Sequence, residues 1–81
     1  MRSDRLTPSE YAAAGFADGD AVGEPPDCRD QFIDEQCWHV AVRTGRGHLW
    51  DCLSDTERAM LAGAYWAGYC NGVAARANER G

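Results

Sequence analysis

Two cysteines and two histidines in the middle of the chain have the residue types of a metal site. Cys37-x-His39 is followed by His48-x-x-x-Cys52. Two thiolates and two imidazoles are a set that tetrahedral zinc accepts, and such a site would staple the central segment. The spacing departs from the usual Cys-x-x-Cys knuckle. Cysteine also packs readily as a small apolar side chain, and a cytosolic chain keeps its thiols reduced. The expectation is therefore no cofactor, with zinc on Cys37, His39, His48 and Cys52 as the alternative. Each histidine, taken singly, is expected to be partly buried and hydrogen-bonded.

Carboxylates form the second constellation. Asp18, Asp20, Glu24, Asp27, Asp30, Asp34 and Glu35 face a single base, Arg29, in that stretch of the sequence. Asp27 and Asp30 read as helix-start residues. Asp18 and Asp20 fall near the end of a helix, where negative charge is unfavourable. Asp30 and Asp34 are a like-charge i,i+4 pair, also unfavourable. Acids that oppose their own helices point to use elsewhere. The candidate partner-binding residues are Asp18, Asp20, Glu24, Asp30, Asp34 and Glu35, and their target is a basic protein site.

Catalytic motifs are absent. There is no Gly-x-Ser-x-Gly, P-loop or His-Glu-x-x-His. Gly15-Phe16-Ala17-Asp18-Gly19 lies inside a helical pattern with no strand before it, so it is no dinucleotide fingerprint. A chain of 81 residues has little room for both a core and a substrate pocket. No enzyme activity and no catalytic residue is expected.

The elements that position these groups follow from caps and periodicity. Thr7-Pro8-Ser9-Glu10 is a capping box with Pro at the first helical position, opening a helix from about Pro8 to about Ala21. Gly23 stops it, and Glu24-Pro25-Pro26 breaks the chain. Asp27 is the next N-cap candidate. Phe32, Ile33, Cys37, Val40 and Ala41 recur at helical spacing, giving a helix from about Cys28 to about Arg43. A hairpin over residues 36–53 competes, because Trp38, Val40 and Val42 alternate before Thr44-Gly45-Arg46-Gly47. Residues 48–53 read as a single turn or a short strand. Ser54-Asp55-Thr56-Glu57 is a second capping box, starting the longest helix, to about Asn78.

That last helix is apolar on two sides. Leu61, Ala62, Tyr65, Trp66, Tyr69 and Val73 form a bulky arc. Ala59, Gly63, Ala67, Cys70 and Ala74 form a small-residue arc, which would make a symmetric homodimer contact or pack inside the chain on Gly15 and Gly19. The expected core is Phe16, Phe32, Ile33, Leu61, Tyr65, Trp66, Tyr69 and Val73. The fold class is mostly α: one three-helix domain spanning residues 1–81 with a long C-terminal helix. The alternative is α+β, with the hairpin.

An internal echo links the outer helices. Ala14-Gly15-Phe16-Ala17-Asp18-Gly19 matches Ala67-Gly68-Tyr69-Cys70-Asn71-Gly72. A mid-helix glycine costs roughly 1 kcal/mol relative to alanine, so four of them imply that the two helices cross with their backbones in contact. Gly15, Phe16 and Gly19, then Tyr65, Gly68 and Tyr69, resemble the motifs of ribosome modulation factor and its small phage-borne relatives. Pro25, Pro26 and Cys28 sit where that family's interhelical link begins. The resemblance covers about a third of the chain. It implies a helix pair and a ribosome- or RNA-associated regulator, with Arg2, Arg5, Arg58, Arg76 and Arg80 gathered on one face if the termini meet.

Charge favours a different partner. The net charge is −5 and every fixed cation is Arg, with no Lys. Nucleic-acid binding demands the opposite sign, so no direct nucleic-acid contact is expected. No apolar run approaches a membrane span, and residues 1–12 lack a signal peptide's apolar stretch, so a cytoplasmic protein of a bacterial host cell is expected. The Arg-, Ala-, Gly- and Asp-rich composition fits a GC-rich bacterial or phage coding sequence. In size and charge the chain is similar to small phage anti-CRISPR inhibitors. The expected function is a small acidic interaction protein, a DNA mimic that covers the basic DNA-binding surface of a host nucleic-acid-binding machine. The alternatives are the ribosome-associated regulator and a small zinc- or thiol-dependent module.

Overall fold

A computed structural model describes residues 5–80. Four helices follow in order: α1 (Pro8–Val22), α2 (Arg29–Arg43), α3 (Gly47–Cys52) and α4 (Asp55–Arg80). The mostly-α reading holds, but residues 47–52 form a short helix where the sequence reads as a turn or strand, so the described residues carry four helices rather than three. The hairpin alternative fails, because Trp38, Val40 and Val42 all belong to α2. Its buried residues, Ile33, Cys37, Val40 and Ala41, keep the 3.6-residue period, which outweighs the local alternation.

The caps form largely as the sequence dictates. Thr7 Oγ1 accepts from the Glu10 amide at 3.3 Å, and Gly23 closes α1 in the left-handed conformation at φ 80°. Glu10 departs from the box. Its carboxylate turns away from Thr7 to pair with Arg46, whose guanidinium also donates to the Arg5 carbonyl at 2.7 Å. At α4 the box is complete in both directions. Ser54 Oγ accepts from the Glu57 amide, and the Ser54 amide donates to Glu57 Oε1, each at 3.2 Å. Asp27 is not the cap of α2. Cys28 holds that position without a side-chain hydrogen bond. The far end of α2 is a Schellman turn: the Arg46 amide reaches the Ala41 carbonyl at 2.7 Å and the Gly45 amide the Val42 carbonyl at 3.0 Å. Gly45 takes φ 75° there, a conformation that favours glycine.

The dominant packing is α1 against α4, through the glycines of the internal echo. A Cβ at Gly15 would lie 2.1 Å from the Tyr65 carbonyl oxygen, and one at Gly19 2.1 Å from that of Tyr69. Reciprocally, a Cβ at Gly68 would lie 2.0 Å from the Ala12 oxygen, and one at Gly72 2.2 Å from that of Phe16. Each glycine thus sits on the carbonyl three residues before the matching glycine of the other helix. The repeat is a local two-fold pseudosymmetry between two parallel helices. Only hydrogen fits at these four positions, and each Cα–H points toward a carbonyl oxygen, a weak but recurrent helix–helix contact.

This geometry corrects several expectations. Gly68 and Gly72, not the arc of Ala59, Gly63, Ala67, Cys70 and Ala74, meet Gly15 and Gly19. The five arc residues are all exposed, and nothing lies within 4 Å of a Cβ built on Gly63. Phe16 is 44 % exposed, because the glycine face of α1 takes the contact and turns its ring outward. α1 and α4 run parallel, so α1 begins at one end of the pair and α4 finishes at the other.

α2 and α3 complete the core. Tyr11, Cys37, Ala41, Tyr65 and Tyr69 are essentially inaccessible, with Ile33, Val40, Trp50 and Leu61 nearly so. Phe32, Trp66 and Val73 pack on the core half-buried. The Tyr11 hydroxyl donates to the Cys37 carbonyl at 2.9 Å, and its ring stacks on Trp50 with centroids 6.0 Å apart. One residue of α1 therefore ties down both α2 and α3.

Two alanine substitutions separate the glycine contact from helix propensity. Gly68→Ala forces the α1 and α4 backbones apart and should cost about 1–3 kcal/mol or more. That is a large part of the roughly 3–5 kcal/mol that so small a core supplies. Gly63→Ala, in open space on the same helix, should instead stabilise by roughly 0.5–1 kcal/mol. Urea denaturation followed by circular dichroism measures both.

Candidate protein-interaction site

The sequence nominated six carboxylates, and the fold divides them. Asp18 belongs to the interior contacts. It accepts a 2.6 Å hydrogen bond from the Tyr65 hydroxyl across the α1–α4 groove. An acid near the C-terminal end of α1 is thus repaid by a buried phenol rather than by a partner protein. Asp20 is half-buried. Its backbone carbonyl accepts from Arg76 Nη1 at 3.0 Å, so α4 supplies the cation that α1 lacks in its own last turn. The Glu24 side chain is exposed in the α1–α2 link, and its carbonyl accepts from the Tyr69 hydroxyl at 2.8 Å.

Asp30, Asp34 and Glu35 form the coherent group. All three are exposed on α2: Glu35 lies opposite the buried stripe of Ile33, Cys37, Val40 and Ala41, and Asp30 and Asp34 lie along its edge. Asp30, Asp34, Trp38 and Val42 succeed one another at four-residue intervals, the spacing of one helical row. Gln31, Glu35, His39 and Arg43 form the adjacent row, also exposed. Trp38 and Val42 are each 43 % exposed. The outer face of α2 therefore runs from an acidic first half to an apolar, aromatic second half. Among the described residues, none of Asp30, Asp34 and Glu35 makes an ion pair or a side-chain hydrogen bond. Arg29, the one base of the acidic stretch, is withdrawn over the Trp66 ring at 5.0 Å, and Trp66 stacks on Tyr69.

The sequence missed the Trp38–Val42 end of this face as a partner to the acids. The signal was available: helical spacing carries the Asp30–Asp34 row straight on to Trp38. The role of Asp18 had no such signal, because Tyr65 is 47 residues away.

The cysteine and histidine set does not converge. Cys37 is fully buried, whereas His39, His48 and Cys52 are exposed. His39 lies edge-on to Trp38, with ring centroids 5.3 Å apart. Both histidines are thus surface residues rather than partly buried ones. Among the described residues, no three His, Cys, Asp or Glu side chains gather closely enough to hold a metal ion. Also among them, no helix is long and apolar enough to cross a membrane. Of the arginines that the helix-pair resemblance would gather on one face, Arg2 lies outside the described residues. Arg58 caps α3, donating from Nε to the Trp50 carbonyl at 3.2 Å, and Arg76 sits eighteen residues further along α4, roughly 27 Å away at 1.5 Å per residue.

No family model, curated protein or solved structure matches the chain.

Burial sets the acid–base behaviour of the core. The Cys37 thiol is pushed from its ordinary 9 up to about 12 by burial, with the nearby Asp34 charge adding to it. Tyr11 and Tyr65 are held well above the ordinary phenol value by burial first, Tyr65 additionally by Asp18. All three groups are neutral in the fold and ionise more easily unfolded. Stability is therefore full below about pH 9 and falls as the pH rises toward 12. Two measurements check this. Denaturation midpoints should drop steadily above about pH 9. A native thiol titration should count three reactive thiols, from exposed Cys28, Cys52 and Cys70, and a fourth only on unfolding.

Proposed function

We propose that this chain is a small acidic interaction protein that covers the basic, nucleic-acid-binding surface of a bacterial protein complex. Such a role suits a phage-encoded inhibitor of the anti-CRISPR kind. The observation that carries the reading is the outer face of α2, with Asp30, Asp34 and Glu35 unpaired beside an exposed Trp38. Exposed carboxylates gain little from one another within the fold. Set against arginines or lysines that hold DNA phosphates, they steer association and occupy the phosphate sites. Trp38 supplies the large, rigid anchor that concentrates binding energy at protein interfaces. The contact set is narrower than the sequence implied. Asp30, Asp34 and Glu35 carry it, Glu24 and Asp20 flank it, and Asp18 serves the fold.

Affinity capture from a bacterial lysate, repeated with variants, tests the reading. Asp30→Arg with Asp34→Arg should keep or slightly raise stability, since a like-charge pair is removed. Capture of a nucleic-acid-binding complex should weaken at least tenfold, and Trp38→Ala should weaken it by a similar factor. Asp18→Arg with Asp20→Arg should instead act through stability, by removing the acceptor of Tyr65. Capture that is unchanged by the α2 variants overturns the reading. Cosedimentation with ribosomes would replace it by the regulator that the helix-pair resemblance implies.

A further inference from the structure

A cleft of about 430 Å³ opens where α2, α3 and the start of α4 meet, lined by Asp34, Trp50, Asp55, Arg58, Ala59 and Ala62. We propose that this cleft receives an arginine side chain of the protein partner, its guanidinium held between Asp34 and Asp55. The inference rests on the interaction reading above and names where one basic residue of the partner is seated.

The lining explains the choice. Arg58 could have neutralised the two carboxylates, but it is committed elsewhere. Its Nε and Nη2 donate to the carbonyls of Trp50 at 3.2 Å and Asp51 at 3.1 Å, and its guanidinium lies over the Trp50 ring at 5.7 Å. Asp34 and Asp55 are exposed, and neither makes an ion pair or side-chain hydrogen bond among the described residues. The cleft is left with two carboxylates against one base. Arg58, Trp50 and Tyr11 succeed one another as layers, so the Trp50 wall is braced rather than loose. Ala59 and Ala62 leave room for an aliphatic stem. A planar guanidinium with donors on more than one edge can serve two separate carboxylates at once, which a compact ammonium does less well. Asp34 also belongs to the outer row of α2, so an arginine seated here is continuous with a basic surface lying along that helix.

The test is a titration of the full chain, labelled with nitrogen-15, with hexa-arginine and separately with hexa-lysine. Hexa-arginine should shift the Trp50 indole and the Ala59 and Ala62 amides, and should bind several-fold more tightly than hexa-lysine. Asp55→Asn, outside the α2 face, should weaken hexa-arginine at least tenfold. Ala59→Leu, which fills the cleft and leaves every acid in place, should abolish the Trp50 shift. Equal binding of the two peptides overturns the guanidinium assignment. Binding that moves only the Trp38 indole, or is indifferent to Asp55→Asn and Ala59→Leu, overturns the cleft while leaving the α2 reading intact. Absence of binding overturns the cleft too. Capture insensitive to Asp30→Arg and Trp38→Ala, neither of which lines the cleft, is the separate failure of the interaction reading.

Discussion

Backbone-to-backbone contact between α1 and α4 is the constraint on which the rest of this small protein depends. Four glycines at matched positions let two parallel helices approach until each Cα–H meets a carbonyl of its neighbour. Four mid-helix glycines cost roughly 3–4 kcal/mol in helix propensity, a price comparable to the domain's whole stability. That cost is recovered only if the close approach brings other groups together, and it does. With the backbones in contact, the Tyr65 hydroxyl reaches Asp18, the Tyr69 hydroxyl reaches the Glu24 carbonyl and Arg76 reaches the end of α1. A one-carbon insertion at any of the four glycines would put those reaches in doubt together.

Because the glycine faces consume one side of each outer helix, the large side chains are redistributed. Tyr11, Tyr65 and Tyr69 turn toward α2 and α3 and form the core with Cys37 and Trp50. Phe16 is left outside. α2 lies over the tyrosines with its aliphatic stripe inward, and this fixes which of its residues face away. The acidic and aromatic outer face of α2 is thus a consequence of the glycine contact, transmitted through the tyrosine layer.

Features decided within a few residues were legible in the sequence. Thr7-Pro8, Gly23, Ser54 and Glu57 fixed three helix ends, and the repeated glycines announced a close crossing of the outer helices. Features decided by distant partners were not. Nothing local marks Tyr11 as fully buried, since its hydroxyl acceptor is 26 residues away. The same holds for Glu10, drawn from its capping box by Arg46. Asp18 and Asp20 were read as misfits of α1 because their partners, Tyr65 and Arg76, come from α4. The candidate surface was half legible. Its acids stood out as charge, whereas their four-residue alignment with Trp38, present in the helical spacing, was obscured by the competing hairpin over residues 36–53.

The parallel course of α1 and α4 has a topological consequence. Parallel neighbours cannot be joined by a tight turn, so the intervening chain must travel back along the full length of α1, about 22 Å at 1.5 Å per residue. α2, with the same number of residues as α1, spans that return distance. It is the return strut of the topology as well as the bearer of the exposed acids, and excising it would leave the outer helices unable to align. The defining contacts join residues fifty or more positions apart, such as Ala12 and Gly68. Closing so long a loop carries an entropic cost before any glycine contact repays it. Such non-local closure slows folding relative to an up-and-down bundle of the same length, where successive helices pair as they form.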